Sequence, residues 1–71
     1  MLMPAKVGDL VSCPPQVVLG RTLAKGGQSY VVGVKQLKYG NIARQINIVQ
    51  DKQGNRTEYF DSDCGLVQEA K

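Results

Sequence analysis

Polar and apolar residues alternate with a period of two through the middle of the chain. In Ser29-Tyr30-Val31-Val32-Gly33-Val34-Lys35, the side chains of Tyr30, Val32 and Val34 recur at every second position. In Gln45-Ile46-Asn47-Ile48-Val49-Gln50, Ile46 and Ile48 sit between polar neighbours. Successive side chains of a strand point to opposite faces, so both stretches predict half-buried β-strands. Lys38-Tyr39-Gly40-Asn41 lies between them with turn chemistry and predicts an antiparallel hairpin with a long tip. Asp51-Lys52-Gln53-Gly54-Asn55 supplies a second turn, with Gly54 free to take positive φ, and residues 56–60 return as a further strand.

Upstream, residues 6–13 (Lys-Val-Gly-Asp-Leu-Val-Ser-Cys) read as an opening strand that bends at Gly8. Pro14-Pro15 ends it, because proline offers no N–H to a ladder. Residues 14–28 hold two prolines and three glycines and read as a long loop with a short extended piece at residues 16–19. Downstream, Asp61-Ser62-Asp63 reads as a turn, with a single 3₁₀ turn as one form of it, and Gly65-Leu66-Val67-Gln68 as a short closing strand. The best helical candidate, residues 42–46, is short and runs into a β-branched stretch that favours a pleated surface.

These elements define an all-β fold class. One domain over residues 1–71 is expected, with four to five short strands curled into a small SH3-like antiparallel barrel. Such curling buries one face and protects the sheet edges. The expected core is Val7, Leu10 or Val11, Cys13, Leu23, Tyr30, Val32, Val34, Ile46, Ile48, Phe60, Leu66 and Val67. Tyr59 joins Tyr30 as a core or half-core residue.

The opening Lys6-Val7-Gly8-Asp9-Leu10-Val11 is similar to the first strand of many small SH3-like and KOW-type barrels. Residues 23–32, residues 48–55 and Tyr59-Phe60 resemble small phage and prophage β-barrel proteins, whose pattern is a Leu-Thr-x-Gly-Lys-x-Tyr-like stretch, a strand, an Asp-x-Gly turn and an aromatic strand. The chain departs from that pattern at Ala24, where threonine is usual, and at Gly27-Gln28, where Gly-Lys is usual. The resemblance implies a barrel, and a regulatory role of the kind small phage-encoded factors play on host machinery such as the transcription apparatus. Such barrels host many activities, so the fold alone does not choose among them.

Charge narrows the choice. The chain carries a formal +3, distributed unevenly. Residues 19–56 hold Arg21, Lys25, Lys35, Lys38, Arg44, Lys52 and Arg56 against Asp51 alone, whereas residues 57–71 are net acidic. A basic surface attracts acidic proteins or phosphate. With no histidine, the usual near-neutral general base is missing, and neither Cys13 nor Cys64 has a Cys–His partner. Two thiols cannot complete an ordinary four-ligand zinc site alone. Asp61 and Asp63 have the spacing of a carboxylate pair but fit turn chemistry better. The glycines match neither a Walker loop nor a dinucleotide fingerprint. No catalytic residue, cofactor or metal is therefore expected, and the cysteines are expected as buried, reduced thiols.

The sequence holds no apolar run of the ~20 residues a bilayer span needs, and Met-Leu-Met-Pro-Ala-Lys lacks the apolar segment of a signal peptide. A cytoplasmic protein, monomeric in isolation and without a membrane partner, is the expectation. The candidate binding residues are Lys35, Lys38, Tyr39 and Arg44 around the hairpin tip, extended by Arg21, Lys25, Lys52 and Arg56. An acidic protein is the favoured partner. The alternatives are a nucleic acid held through Lys35, Lys38 and Arg44, and a place as a small subunit of a larger assembly.

Overall fold

A computed structural model describes residues 4–70. The fold is all-β, as the alternation predicts. Strands β1 (Leu10–Cys13), β2 (Gln16–Val18), β3 (Arg21–Ala24), β4 (Gly27–Tyr39), β5 (Ile42–Gln50), β6 (Arg56–Phe60) and β7 (Gly65–Gln68) follow in order, with a 3₁₀ turn at Asp61–Asp63 before the last. Five of them form an antiparallel sheet in the order β6-β5-β4-β1-β7, and β2 pairs with β3 in a separate hairpin. The long β4–β5 hairpin is the one the sequence predicts, with Tyr30 opposite Gln50 and Lys35 opposite Ile46.

The core lies on one face of the sheet. Val11 and Cys13 of β1, Val31 of β4, Val49 of β5 and Tyr59 of β6 are buried there with Cys64, and Ala5 and Ala24 pack against them from the N-terminal segment and from β3. Asn47, fully buried on the same face, keeps its polar atoms satisfied. Its amide donates to Asp61 Oδ1 at 2.9 Å, and its Oδ1 accepts from Gln45 Nε2 at 2.8 Å. Asp61 Oδ1 also accepts from the Ala5 N–H, so one carboxylate ties the N-terminal segment to β5 and the 3₁₀ turn. A buried amide so partnered avoids the penalty of an orphaned polar group.

Several core expectations are corrected. A register shift between Val31 and Gly33 makes Val32 the extra residue of a β-bulge. Val31, opposite buried Val49, takes the inward position before the bulge, which leaves Tyr30 facing out. Past the bulge, Val34 lies opposite buried Asn47 on the core side but near its uncovered margin. Val31 is 1% exposed, whereas Tyr30, Val32 and Val34 are exposed. Phe60 is exposed because its neighbour Tyr59 takes the inward position. Val7 and Leu23 are also exposed, as are Leu66 and Val67 on the edge strand β7. Val11 rather than Leu10 fills the position on β1, and Ile48 is half-buried. The first strand begins at Leu10, not Lys6, because residues 6–9 form a turn closed by the Asp9 N–H on the Lys6 carbonyl at 3.1 Å.

The segment read as a long loop is instead mostly the β2–β3 hairpin. Leu19 (φ 51°) and Gly20 (φ 78°) form its two-residue turn, the double positive-φ geometry that matches strand twist. Gly26 at φ 80° brings the chain back against β1, where a Cβ would lie 2.7 Å from Pro15 N and 2.8 Å from Cys13 O. Only glycine fits there. The base of the hairpin is also tied across the molecule, since Gln16 Nε2 donates to the Glu58 carbonyl on β6 at 2.9 Å.

Candidate functional site

Directly opposed residues of a ladder share a face, so the register sorts the candidate residues. From Gly33 onward the pairing of β4 with β5 is unbroken. The face away from the core therefore carries Gly33, Lys35, Leu37 and Tyr39 of β4 opposite Ile48, Ile46, Arg44 and Ile42 of β5. Across β5, Phe60 stands opposite Ile46, Glu58 opposite Ile48 and Arg56 opposite Gln50. Tyr30, opposite Gln50, lies on the same outer face.

At the centre of this face, Ile46 is buried between Lys35 and Phe60, as expected of it, on the side of the sheet opposite the main cluster. Two interactions flank it. Lys35 Nζ meets Glu58 Oε1 at 2.8 Å, and the Arg44 guanidinium lies over the Phe60 ring, 5.8 Å from its centroid. Arg56 Nε donates to Gln50 Oε1 at 2.9 Å. Exposed apolar surface surrounds the charges, with Tyr39 at 64%, Ile42 at 58% and Tyr30 at 56%. Three of the chain's four aromatic residues thus face outward on one side of one sheet, and the fourth, Tyr59, is in the core.

The structure brings Lys35, Tyr39, Arg44 and Arg56 onto this face, and separates Lys38 from them. Lys38, opposite Ala43, points to the other side of the hairpin. Lys25 and Arg56 border a groove of about 500 Å³ between β3 and the turn before β6, with Thr22, Ser29, Asp51 and Tyr59 also lining it. Arg21 on β3 and Lys52 in the turn at residues 51–55 are not among the residues lining that groove. The eight candidates form no single patch. The sequence reading missed Tyr30 and Phe60, which it assigned to the core. The adjacent Tyr59-Phe60 pair held the available signal, because neighbours on a strand must take opposite faces.

Five of the six acidic groups are occupied within the protein, Asp63 being the exception, and most of the basic ones are not. Asp9 accepts from the Lys6 and Ala70 N–H groups, Asp51 from the Gln53 and Asn55 N–H groups, and Asp61 from Ala5 and Asn47. Bonds to the charged form hold Asp9 and Asp51 below the usual carboxylate range, led by Ala70 for Asp9 and by Asn55 for Asp51. Glu58 pairs with Lys35, and Glu69 with Lys6, whose ammonium that bond pushes up. Among the described residues, Arg21, Lys25, Lys38, Arg44, Lys52 and Arg56 make no ion pair. The uncompensated charge of the described surface is therefore basic.

Asp61 serves as a structural acceptor, which removes it from the carboxylate pairing with Asp63 that its spacing allowed. Burial, with Tyr59 near both thiols, pushes the Tyr59 hydroxyl up. Among the described residues, no group of three or more His, Cys, Asp or Glu side chains is arranged to hold a metal ion, and no helix is long and apolar enough to cross a membrane. Comparison with protein-family models, curated proteins and solved structures finds no match to this chain.

Proposed function

We propose that the protein is a non-enzymatic binding module that docks an acidic protein partner on the outer face of β4, β5 and β6. One observation carries the reading. That face joins exposed Tyr30, Tyr39, Ile42 and Phe60 to Lys35, Arg44 and Arg56, with a single carboxylate, Glu58, among them. Tyrosine and arginine around an apolar centre are the composition of interface anchors, and the uncompensated cations steer an acidic partner towards it. A regulatory protein acting on a larger machine fits such a surface. The strand order, with a 3₁₀ turn before the last strand, supports an SH3-like barrel as its scaffold.

The same face argues for protein over nucleic acid. Tyr30 and Tyr39 are nine residues apart on one strand, roughly 30 Å at strand rise. Arg44 covers the Phe60 ring. A stacking platform needs free rings within reach of successive bases. Aliphatic Ile42, Leu37 and Ile48 occupy the space between.

The test is affinity capture from a host lysate with three baits at physiological salt: the parent chain, Tyr39→Ala, and Lys52→Ala off the face. A partner that stays bound to Lys52→Ala and is lost from Tyr39→Ala is the expected result. A partner bound equally by the parent chain and Tyr39→Ala, or released by nuclease treatment, overturns the reading.

A further inference from the structure

We infer that Cys13 and Cys64 form a dithiol site that a small-molecule disulfide converts into a cross-strand disulfide, fastening the first strand of the sheet to the last. β1 and β7 pair antiparallel, with Val11 opposite Leu66 and Ser12 opposite Gly65. One step further along that ladder sets Cys13 beside Cys64. Cross-strand neighbours have Cα atoms about 4.5–5.5 Å apart, inside the range a disulfide spans. The two side chains belong to one buried cluster, and both are free thiols. Cys64 in turn donates to the Phe60 carbonyl at 3.6 Å. The pair is thus pre-assembled.

Burial controls when the site reacts. Cys13 is 6% exposed and Cys64 3%, and burial, followed by the neighbouring Cys64, pushes the Cys13 thiol up to about 12. The thiolate is the nucleophile, so the closed protein reacts slowly. The weak point is β7, an edge strand with all four residues exposed and a ladder only to β1. When β7 detaches, Cys64 meets solvent and loses its proton. Its thiolate attacks oxidised glutathione, forming a mixed disulfide and releasing one glutathione thiolate. Reclosing β7 returns Cys13 to that mixed disulfide. The Cys13 thiol loses its proton to solvent and its sulfur displaces the second glutathione. Two protein thiols are oxidised to one disulfide, and one oxidised glutathione is reduced to two thiols. The product closes the loop from residue 13 to residue 64, which restricts the unfolded chain.

The experiment incubates the full chain with oxidised glutathione, with and without urea below the unfolding transition, and follows mass, Tm and amide hydrogen exchange. The expected product has lost two hydrogens and retains no glutathione. It forms faster in urea, melts about 10 °C or more higher, exchanges the β7 amides more slowly, and reverts with dithiothreitol. As a control, Cys13→Ala is expected to keep a stable glutathione adduct on Cys64. Accumulation of glutathione adducts on the parent chain would overturn the inference. So would a disulfide form that melts lower than the reduced one, or the absence of any reaction in urea.

Discussion

The guanidinium of Arg44 lies over the ring of Phe60, 5.8 Å from its centroid, across the outer face of the sheet. Arg44 is opposite Leu37, and Phe60 is opposite Ile46, so the contact is a diagonal one between neighbouring strands. Both residues are exposed, and an exposed cation–π pair contributes only about 0.5–1 kcal/mol. Its main effect is to hold a cationic fork at a fixed place beside Ile46. Arg44→Ala is therefore expected to lower folding stability by no more than about 1 kcal/mol in urea denaturation. A loss above about 2 kcal/mol would mean that Arg44 is structural rather than part of a binding surface.

Val31 and Val32 are adjacent and should respond differently. Val31 is 1% exposed and packs in the core, whereas Val32 is the bulge residue and is 38% exposed. Val31→Ala is expected to cost about 1–3 kcal/mol through lost burial and the cavity left behind, and Val32→Ala less than about 1 kcal/mol. Equal losses in urea denaturation would place the bulge elsewhere.

Gly26 has a space requirement in addition to its positive φ. A Cβ there meets backbone atoms of Cys13, Pro14 and Pro15 at 2.7–2.8 Å, and backbone cannot turn aside as a side chain can. Gly26→Ala is expected to destabilise by about 2–4 kcal/mol. Gly20→Ala, where φ is also positive but nothing lies within 4 Å, is expected to lose less. Matching unfolding midpoints for the two variants would contradict the packing of this turn on β1.

Asp9 makes stability depend on acid. Its carboxylate is held below the usual value of about 3.9 by the Ala70 N–H first and the Lys6 N–H second. A lowered folded-state pKa stabilises the fold fully above the unfolded value, and the gain is lost as pH falls through the folded value. Asp51 contributes in the same direction through Asn55. Asp9→Asn is therefore expected to flatten, without abolishing, the fall of the urea midpoint from about pH 5 to pH 2. An unchanged acid limb would show that Asp9 does not clamp the two ends of the chain.

The sequence pattern located the hairpin of β4 and β5, both later turns, the 3₁₀ turn and the closing strand, because turn residues and alternation are local signals. It misjudged which residues face inward. Val31 rather than its neighbours Tyr30 and Val32 faces inward, and nothing in the identity of two adjacent valines announces which is buried or that Val32 forms a bulge. The β2–β3 hairpin was hidden for a related reason, since its turn places Leu19 at positive φ where asparagine or glycine is the usual signal. For the site, Lys35, Tyr39, Arg44 and Arg56 were legible as residue types. Their common face, and the separation of Lys38, depend on register. The role of Asp61 depends on contacts with Ala5 and Asn47 that are distant in sequence.

The most direct test of the docking face is a backbone-amide chemical-shift titration at physiological salt, using an acidic peptide rich in Glu, Leu and Phe and, separately, a single-stranded oligonucleotide. The acidic peptide is expected to shift Tyr30, Lys35, Leu37, Tyr39, Ile42, Arg44 and Phe60 together, with the effect lost in Tyr39→Ala. Burial of those apolar side chains is little screened by salt. The oligonucleotide is expected to bind only at low salt, because phosphate contacts release counterions and weaken steeply as salt rises. Sub-micromolar oligonucleotide binding at physiological salt, or peptide shifts confined to the groove around Lys25 and Tyr59, would contradict the account.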